Sequence, residues 1–202
     1  MACIGTGPSL TTQQVETARA KGFALAGCNL VYQMVPDLRL LFATNEGFWV
    51  HYWDEIRTHP CEKWTNNDEA ARRFGINHIR GIDRRGLSVK PDRLHHGHSS
   101  GYQLLGLAYL MGAKRIVLLG YDMRYAPDYD GRERKVGSVP RHYFGEYPSG
   151  LRHWPKVSVR EGVHFELVNL YRSVADQGLV EIINCTPGSA LDCFPMADID
   201  AV

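Results

Sequence analysis

The sequence predicts an α/β protein with a mainly parallel, doubly wound sheet. Three observations carry this expectation. Short apolar runs alternate with stretches of helical spacing along most of the chain. The run RIVLLG (115–120) is apolar almost throughout, as a strand buried on both faces must be. Glycine, asparagine, serine and threonine gather after the apolar runs, where turns are needed, rather than inside them.

Each element has its own reason. The stub MACI suits a first strand, and it is too short and too uncharged at its start to be a signal peptide. In GTGPSL (5–10), Gly5 and Gly7 accept angles that other residues resist, and Pro8 is pre-set for a turn or a first helical position. Ser9 or the following Thr11 and Thr12 can cap a helix over residues 11–21, which Gly22 can end. Strand-like runs follow at FALAGCN (23–29) and LRLLFATN (38–45). FWVHYWDEI (48–56) reads as a helix whose aromatic residues form a core face. CEKWT, DEAARRF and INHI read as a small strand, helix and strand. In SSGYQLLGLAYLMGAKRIVLLGYDM (99–123) a serine cap opens an apolar helix, Gly112 stops it, and a buried strand follows. The last pair is a helix over residues 163–177 and the strand VEIINC (180–185).

Residues 124–160 have no good period, yet they are rich in basic and aromatic residues. Loops this long inside a domain are often lids or binding loops. This one follows the carboxyl end of a strand, where open α/β sheets hold ligands. The expectation is a single nucleotide-binding domain over 1–202 carrying 124–160 as a lid-like insert.

Composition narrows the classes. With 202 residues, 44% hydrophobic and 22% charged, the chain can bury the core of one domain. A net charge of +1 offers no global field for nucleic acid or a membrane surface. No apolar run approaches the roughly 20 residues of a membrane span. The five cysteines show no CxxC pair, and Cys3, Cys28 and Cys185 lie in strand-like runs. Buried free thiols and a cytoplasmic location are expected. Oligomeric state is left open, a homo-oligomer included.

In a parallel sheet the polar strand ends converge on one edge. Gly5, Thr6, Gly7, Pro8 and Ser9 follow the first strand, Asn29 the second, and Thr44 and Asn45 the third. Ser99, Ser100 and Gly101 open the central helix, Asp122 follows the buried strand, and Gly188 and Ser189 lie in TPGSAL after the last strand. Such a pocket, rich in N–H, hydroxyl and amide donors, suits a nucleotide's phosphate and ribose. No Walker lysine is present, and GTGPSL is not the GxGxxG of a standard dinucleotide site. The histidines of HHGH (His95, His96, His98) are of a type that suits Zn or Ni. With no cysteine or carboxylate at ligand spacing, no metal site is assigned.

At these residues the chain resembles a family. GTGPSL, CN (28–29), the 99–123 block, HYFG (142–145) and INCTPGSAL occur in the order found in bacterial sialyltransferases of the CstII type. Wider relatives are phage and archaeal proteins similar to the MptE pterin pyrophosphokinase, and the shortness of this chain points to a compact, phage-type member. The resemblance implies a Rossmann-like fold in which the first glycine turn, Asn29 and Ser99 to Gly101 hold a nucleotide, CMP in the sialyltransferases. It implies that Arg124, Tyr125 and Tyr129 stand where tyrosines hold the leaving phosphate. The family's catalytic histidine directly follows the glycine of the HYxG block. Glu146 occupies that place here, and His142 and His153 are the alternative bases. Thr6 replaces a family asparagine. Asp128-Tyr129-Asp130 matches the DxD triplet of many glycosyltransferases, although Pro127 and Gly131 make a turn there the simpler account.

Three functions follow. The first is a glycosyltransferase with a nucleotide-sugar donor, CMP-type favoured, and an unknown acceptor. That reaction requires no metal cofactor if it is sialyltransferase-like. The second is a pyrophosphokinase, for which Mg²⁺ and the carboxylates Asp122, Asp128 and Asp130 would matter. The third is nucleotide binding without catalysis.

Overall fold

The computed structural model describes residues 1–125, 141–148, 151, 159–160 and 162–202. A seven-stranded sheet runs through the middle. Its strands are β1 (Ala2–Ile4), β2 (Leu25–Cys28), β3 (Leu40–Phe42), β4 (Glu62–Thr65), β5 (Asn77–His78), β8 (Arg115–Leu119) and β11 (Glu181–Asn184). They lie in the order β11-β8-β1-β2-β3-β4-β5. Every pairing within this sheet is parallel. The doubly wound, mainly parallel sheet expected from the sequence is therefore the fold.

The burial of the strands explains their composition. Ala2, Cys3 and Ile4 are fully buried, as are Ile116 to Leu119. Helices cover both faces, so the central strands are apolar on both sides, and the buried polar residues of the sheet, Thr65 and Asn184, lie on β4 and β11. One core layer collects Ile4, Val15, Leu41, Trp49, Ile56 and Leu119. The other collects Cys3, Leu40, Phe42, Leu104, Leu118 and Tyr171. Alternate residues of β1, β3 and β8 feed opposite layers, which is the period of two made visible.

The helices begin where the sequence supplies caps. α1 (Thr12–Ala20) opens on a capping box, with Thr11 accepting from the Gln14 amide and Gln14 reaching back. α2 (Glu46–Ile56) is capped by Asn45, whose side chain accepts from the Gly47 amide at 2.9 Å. It starts two residues earlier than its aromatic stretch. α3 (Asp68–Phe74) is capped by Asn67 and ends on Gly75 in the left-handed conformation. α4 (Ser100–Leu110) is the apolar central helix, and α5 (Phe165–Ala175) precedes the last main-sheet strand.

Two small features were not legible in the sequence. β6 (Arg80–Ile82) and β7 (Arg93–His95) pair in parallel outside the main sheet. β9 (Val159–Arg160) and β10 (Val163–His164) form an antiparallel ribbon, so residues 159–160 are regular, contrary to the expected 124–160 loop. The period-two signal cannot show in two- or three-residue strands. All five cysteines are free; four are buried and Cys193 is half-buried. No helix among the described residues is long and apolar enough to cross a membrane.

Candidate functional site

Strand order reverses between β1 and β8: the chain builds from β1 outward to β5, then returns to β8 on the other side. Open α/β sheets place a crevice at such a switch point, outside the carboxyl ends of the strands. A cavity of about 560 Å³ lies there. Its wall includes Gly5, Thr6, Gly7 and Pro8 after β1, Asn29 after β2, and Thr44 and Asn45 after β3. Ser99, Ser100 and Gly101 at the start of α4 also line it, as do Asp122, Arg124 and Tyr125 after β8, and His142. Most of the residues singled out in the sequence therefore meet in one place.

Ser9, Glu146, Gly188 and Ser189 are not part of this wall. Ser9 donates its amide to Asp122 Oδ1 at 3.1 Å. Ser189 donates its hydroxyl to the Tyr121 carbonyl at 2.6 Å, and the Gly188 carbonyl accepts from Arg124 Nε at 2.8 Å. The TPGSAL turn thus braces the end of β8 from behind. Glu146 is ion-paired with Arg141 at 2.5 Å, both side chains largely buried. His153 and the Asp128–Asp130 triplet lie outside the described residues.

The glycine turn has a different job from the expected phosphate cradle. The Gly5 amide donates to the Leu119 carbonyl at 2.8 Å and the Gly7 amide to the Gly120 carbonyl at 2.9 Å. A Cβ on Gly5 would come within 2.6 Å of that Gly120 oxygen. The glycines let two loops zip together, so their N–H groups are already taken. The open donors belong to α4. Ser99 sits at its N-cap without a side-chain cap hydrogen bond. The amides of Ser100, Gly101 and Tyr102 find no acceptor among the described residues. Unpaired first-turn amides at the positive end of a helix dipole suit an anion. Ser100 itself is held by Thr44, accepting from its amide at 3.3 Å, and Gln103 Nε2 donates to Thr44 Oγ1 at 2.8 Å.

His142 lines the same cavity. Its ring lies parallel to Phe144 at 4.8 Å and edge-on to Tyr147 at 5.3 Å. Nδ1 is 3.1 Å from Thr6 Oγ1. Burial, reinforced by the nearby Arg141 charge, pushes its pKa down to about 4, so the imidazole is neutral at ordinary pH. The segment is pinned from below: Tyr143 donates its hydroxyl to the Leu30 carbonyl at 2.6 Å and its amide to the Thr6 carbonyl at 3.1 Å. Sequence reasoning missed Arg141, Tyr147 and His164 as wall residues. Arg141 and Tyr147 flank the HYFG block, which was the available signal.

Backbone strain collects here. Asn29, His98 and Met123 are the non-glycine residues with positive φ (51°, 52° and 50°) among those described, and all three line the cavity. Such conformations persist where surrounding structure over-determines them, commonly at functional sites. Asp122 is a second kind of strain. Its Oδ2 is buried with no hydrogen-bond partner among the described residues, and burial raises its pKa. A carboxyl raised in the folded state binds protons more readily there than unfolded, so its charge destabilises the fold as pH rises through that value. We expect Asp122→Asn to keep the Ser9 contact and to raise the thermal midpoint at pH 7 by a few degrees, roughly 2–4 °C per kcal/mol for a chain of this size. An unchanged or lower midpoint in scanning calorimetry would show that the carboxylate is satisfied as it stands.

Fold and cavity together define a doubly wound α/β protein with a cavity at the sheet's switch point. No family model matches the sequence, and no curated protein matches it. Among solved structures, the MAf glycosyltransferase from Magnetospirillum magneticum is similar with a TM-score of 0.58 at 9% identity. The match covers all of this chain and 34% of that one, so this chain spans about a third of its length. The sialyltransferase CstII from Campylobacter jejuni, in complex with the substrate analogue CMP-3FNeuAc, is similar with a TM-score of 0.56 at 14% identity. That match covers 98% of this chain and 87% of the other. The same enzyme with cytidine-5′-monophosphate gives the same TM-score over 85% of its chain. At these identities the likeness shows a shared fold.

Proposed function

We propose that the cavity binds a nucleotide-sugar of the CMP type and that the protein transfers the sugar to an acceptor hydroxyl. The observation that carries this reading is the presence, in the wall of one cavity, of an open helix N-terminus and a neutral histidine. The phosphate sits on the first-turn amides of α4, with the Arg124 guanidinium and the Tyr125 hydroxyl beside it. Asn29 and Asn45 meet the ribose or base, since an amide both donates and accepts.

The reaction is a displacement at the anomeric carbon. The acceptor oxygen forms a bond to that carbon as the bond to the phosphate oxygen breaks, and CMP departs with the electron pair. Arg124 and the α4 amides stabilise the charge that grows on the phosphate. With Nδ1–H donated to Thr6 Oγ1, His142 presents Nε2 as the atom that takes the acceptor proton. His142 replaces Glu146 as the base in this reading, because the Glu146 carboxylate is engaged by Arg141 and does not line the wall. This chemistry needs no metal at the phosphate.

A thermal-shift series against CMP, CMP-sugars, CDP, UDP, GDP and ATP tests the reading. CMP and CMP-sugars should raise the midpoint most. A shift with ATP and Mg²⁺ alone would favour the pyrophosphokinase chemistry, and no shift with any nucleotide would end the nucleotide reading. Asn29→Gly is the matched variant, because glycine tolerates the positive φ that alanine would not. It should weaken CMP binding by about 1–2 kcal/mol with the fold intact. Parental affinity in a calorimetric titration would remove Asn29 from the site.

A further inference from the structure

We propose that Asp83, His96 and His98 form a binding site for one divalent transition-metal ion of the zinc kind. The tertiary structure supplies what the sequence spacing lacks. Asp83, in the loop after β6, is brought to the HHGH segment that links β7 to α4. One ligand atom from each of the three side chains lies within 4.8 Å of the others. His98 Nε2 is 3.9 Å from Asp83 Oδ1, and the two imidazole rings are 4.3 Å apart. Ligands at zinc–nitrogen and zinc–oxygen distances of about 2.0–2.2 Å stand a little closer than this, so small side-chain rotations complete the set. Among the described residues no other cluster of histidine, cysteine or carboxylate side chains converges in this way.

The backbone is built to hold the pair. Gly97 and His98 both take positive φ, 46° and 52°. A Cβ at position 97 would come within 2.4 Å of the Tyr102 ring, so only glycine fits. The consecutive left-handed residues bring the His98 ring beside the His96 ring. The His96 amide donates to the Ile82 carbonyl at 3.0 Å, which ties this turn to the residue just before Asp83. The His98 amide donates a long 3.4 Å hydrogen bond to His96 Nδ1; to bind an ion the ring gives up that contact, so that one nitrogen carries the proton and the other takes the ion. His95 takes no part: its Nδ1 is 2.9 Å from the Gly86 carbonyl.

Two imidazoles and one carboxylate select zinc, nickel or copper over magnesium or calcium, which prefer oxygen alone. Three protein ligands leave the fourth tetrahedral corner to water or an anion. Asp83 and His98 also border a shallow cavity with Arg84 and Arg85, whose charge suits an anion in that position. The ion would stand directly ahead of the α4 N-terminus, fixing the strained turn. This inference does not depend on which nucleotide the main cavity takes.

The test uses the untagged full chain, stripped with a chelator and titrated with zinc chloride in a calorimeter. One equivalent should bind and raise the thermal midpoint. Asp83→Asn and the double variant His96→Ala/His98→Ala should each weaken zinc binding by about tenfold or more. Cobalt(II) loading should give a tetrahedral visible spectrum without thiolate charge-transfer bands. No stoichiometric zinc in the parent would overturn the proposal. Parental affinity in the double variant, or a thiolate band that places the ion on cysteine, would do the same.

Discussion

His142→Gln should lower turnover by about 10²–10⁴-fold, the range for removing a general base, while donor affinity stays close to parental. Glutamine keeps a hydrogen bond to Thr6 and roughly the shape of the ring, but it cannot take the acceptor proton. The pH dependence follows from the pKa of about 4 in the free protein. kcat/KM should therefore be level from neutral pH down to about pH 5 and fall as the imidazole protonates near 4. A phosphate bound in the same cavity favours the protonated form, so the corresponding limb in kcat should lie higher.

The same histidine sets an acid limit on stability. Its folded pKa lies below the unfolded value near 6.5, so between about pH 6.5 and 4 the unfolded chain binds a proton that the folded chain refuses. Stability falls as pH drops through that window, by on the order of 3 kcal/mol, and this contribution levels off below about 4. His142→Gln should flatten that slope in urea titrations run at several pH values. Parental turnover in the variant would place the base elsewhere, with His153 the next residue to change.

Gly7→Ala should give the largest loss of stability of any single methyl group added at the site. Its Cβ would lie 1.7 Å from Asp122 Oδ2 and 2.6 Å from the Gly120 carbonyl oxygen. Neither atom can retreat cheaply. Gly120 is tied to the Gly7 amide, and Asp122 is packed against the Ser9 amide. Overpacking of this kind costs about 1–3 kcal/mol or more, which lowers the melting midpoint by roughly 2–12 °C. Gly106→Ala is the control. Its Cβ meets only Leu94 at an ordinary 3.8 Å, and alanine suits the middle of α4, so that variant should be neutral or slightly stabilised. The double variant Gly7→Ala/Asp122→Ala should recover only part of the loss, because the Gly120 oxygen remains. A Gly7→Ala midpoint equal to the parent's would mean that the two loops are not zipped as described.

The alternation of apolar runs and helical stretches determined the doubly wound sheet, because a parallel strand buried on both faces cannot hide its composition. Cap residues such as Thr11, and stops such as Gly22 and Gly112, act within one helical turn, so these helix ends were also legible. The gathering of polar strand ends at one edge followed from parallelism alone. Which of those groups remain open did not. Gly5 and Gly7 read like a phosphate cradle, yet their amides bond to the loop leaving β8, more than a hundred residues along the chain. Glu146 stood at the family's base position, and only the fold shows it ion-paired with Arg141 and outside the cavity wall that His142 lines. Asp83 lies thirteen residues from His96, and no local spacing connects it to the histidine pair. Propensity, capping and hydrophobic period are properties of neighbouring residues and can be read in order. Whether a donor is free, a carboxylate is paired or a ligand set is complete depends on groups that only chain folding brings together.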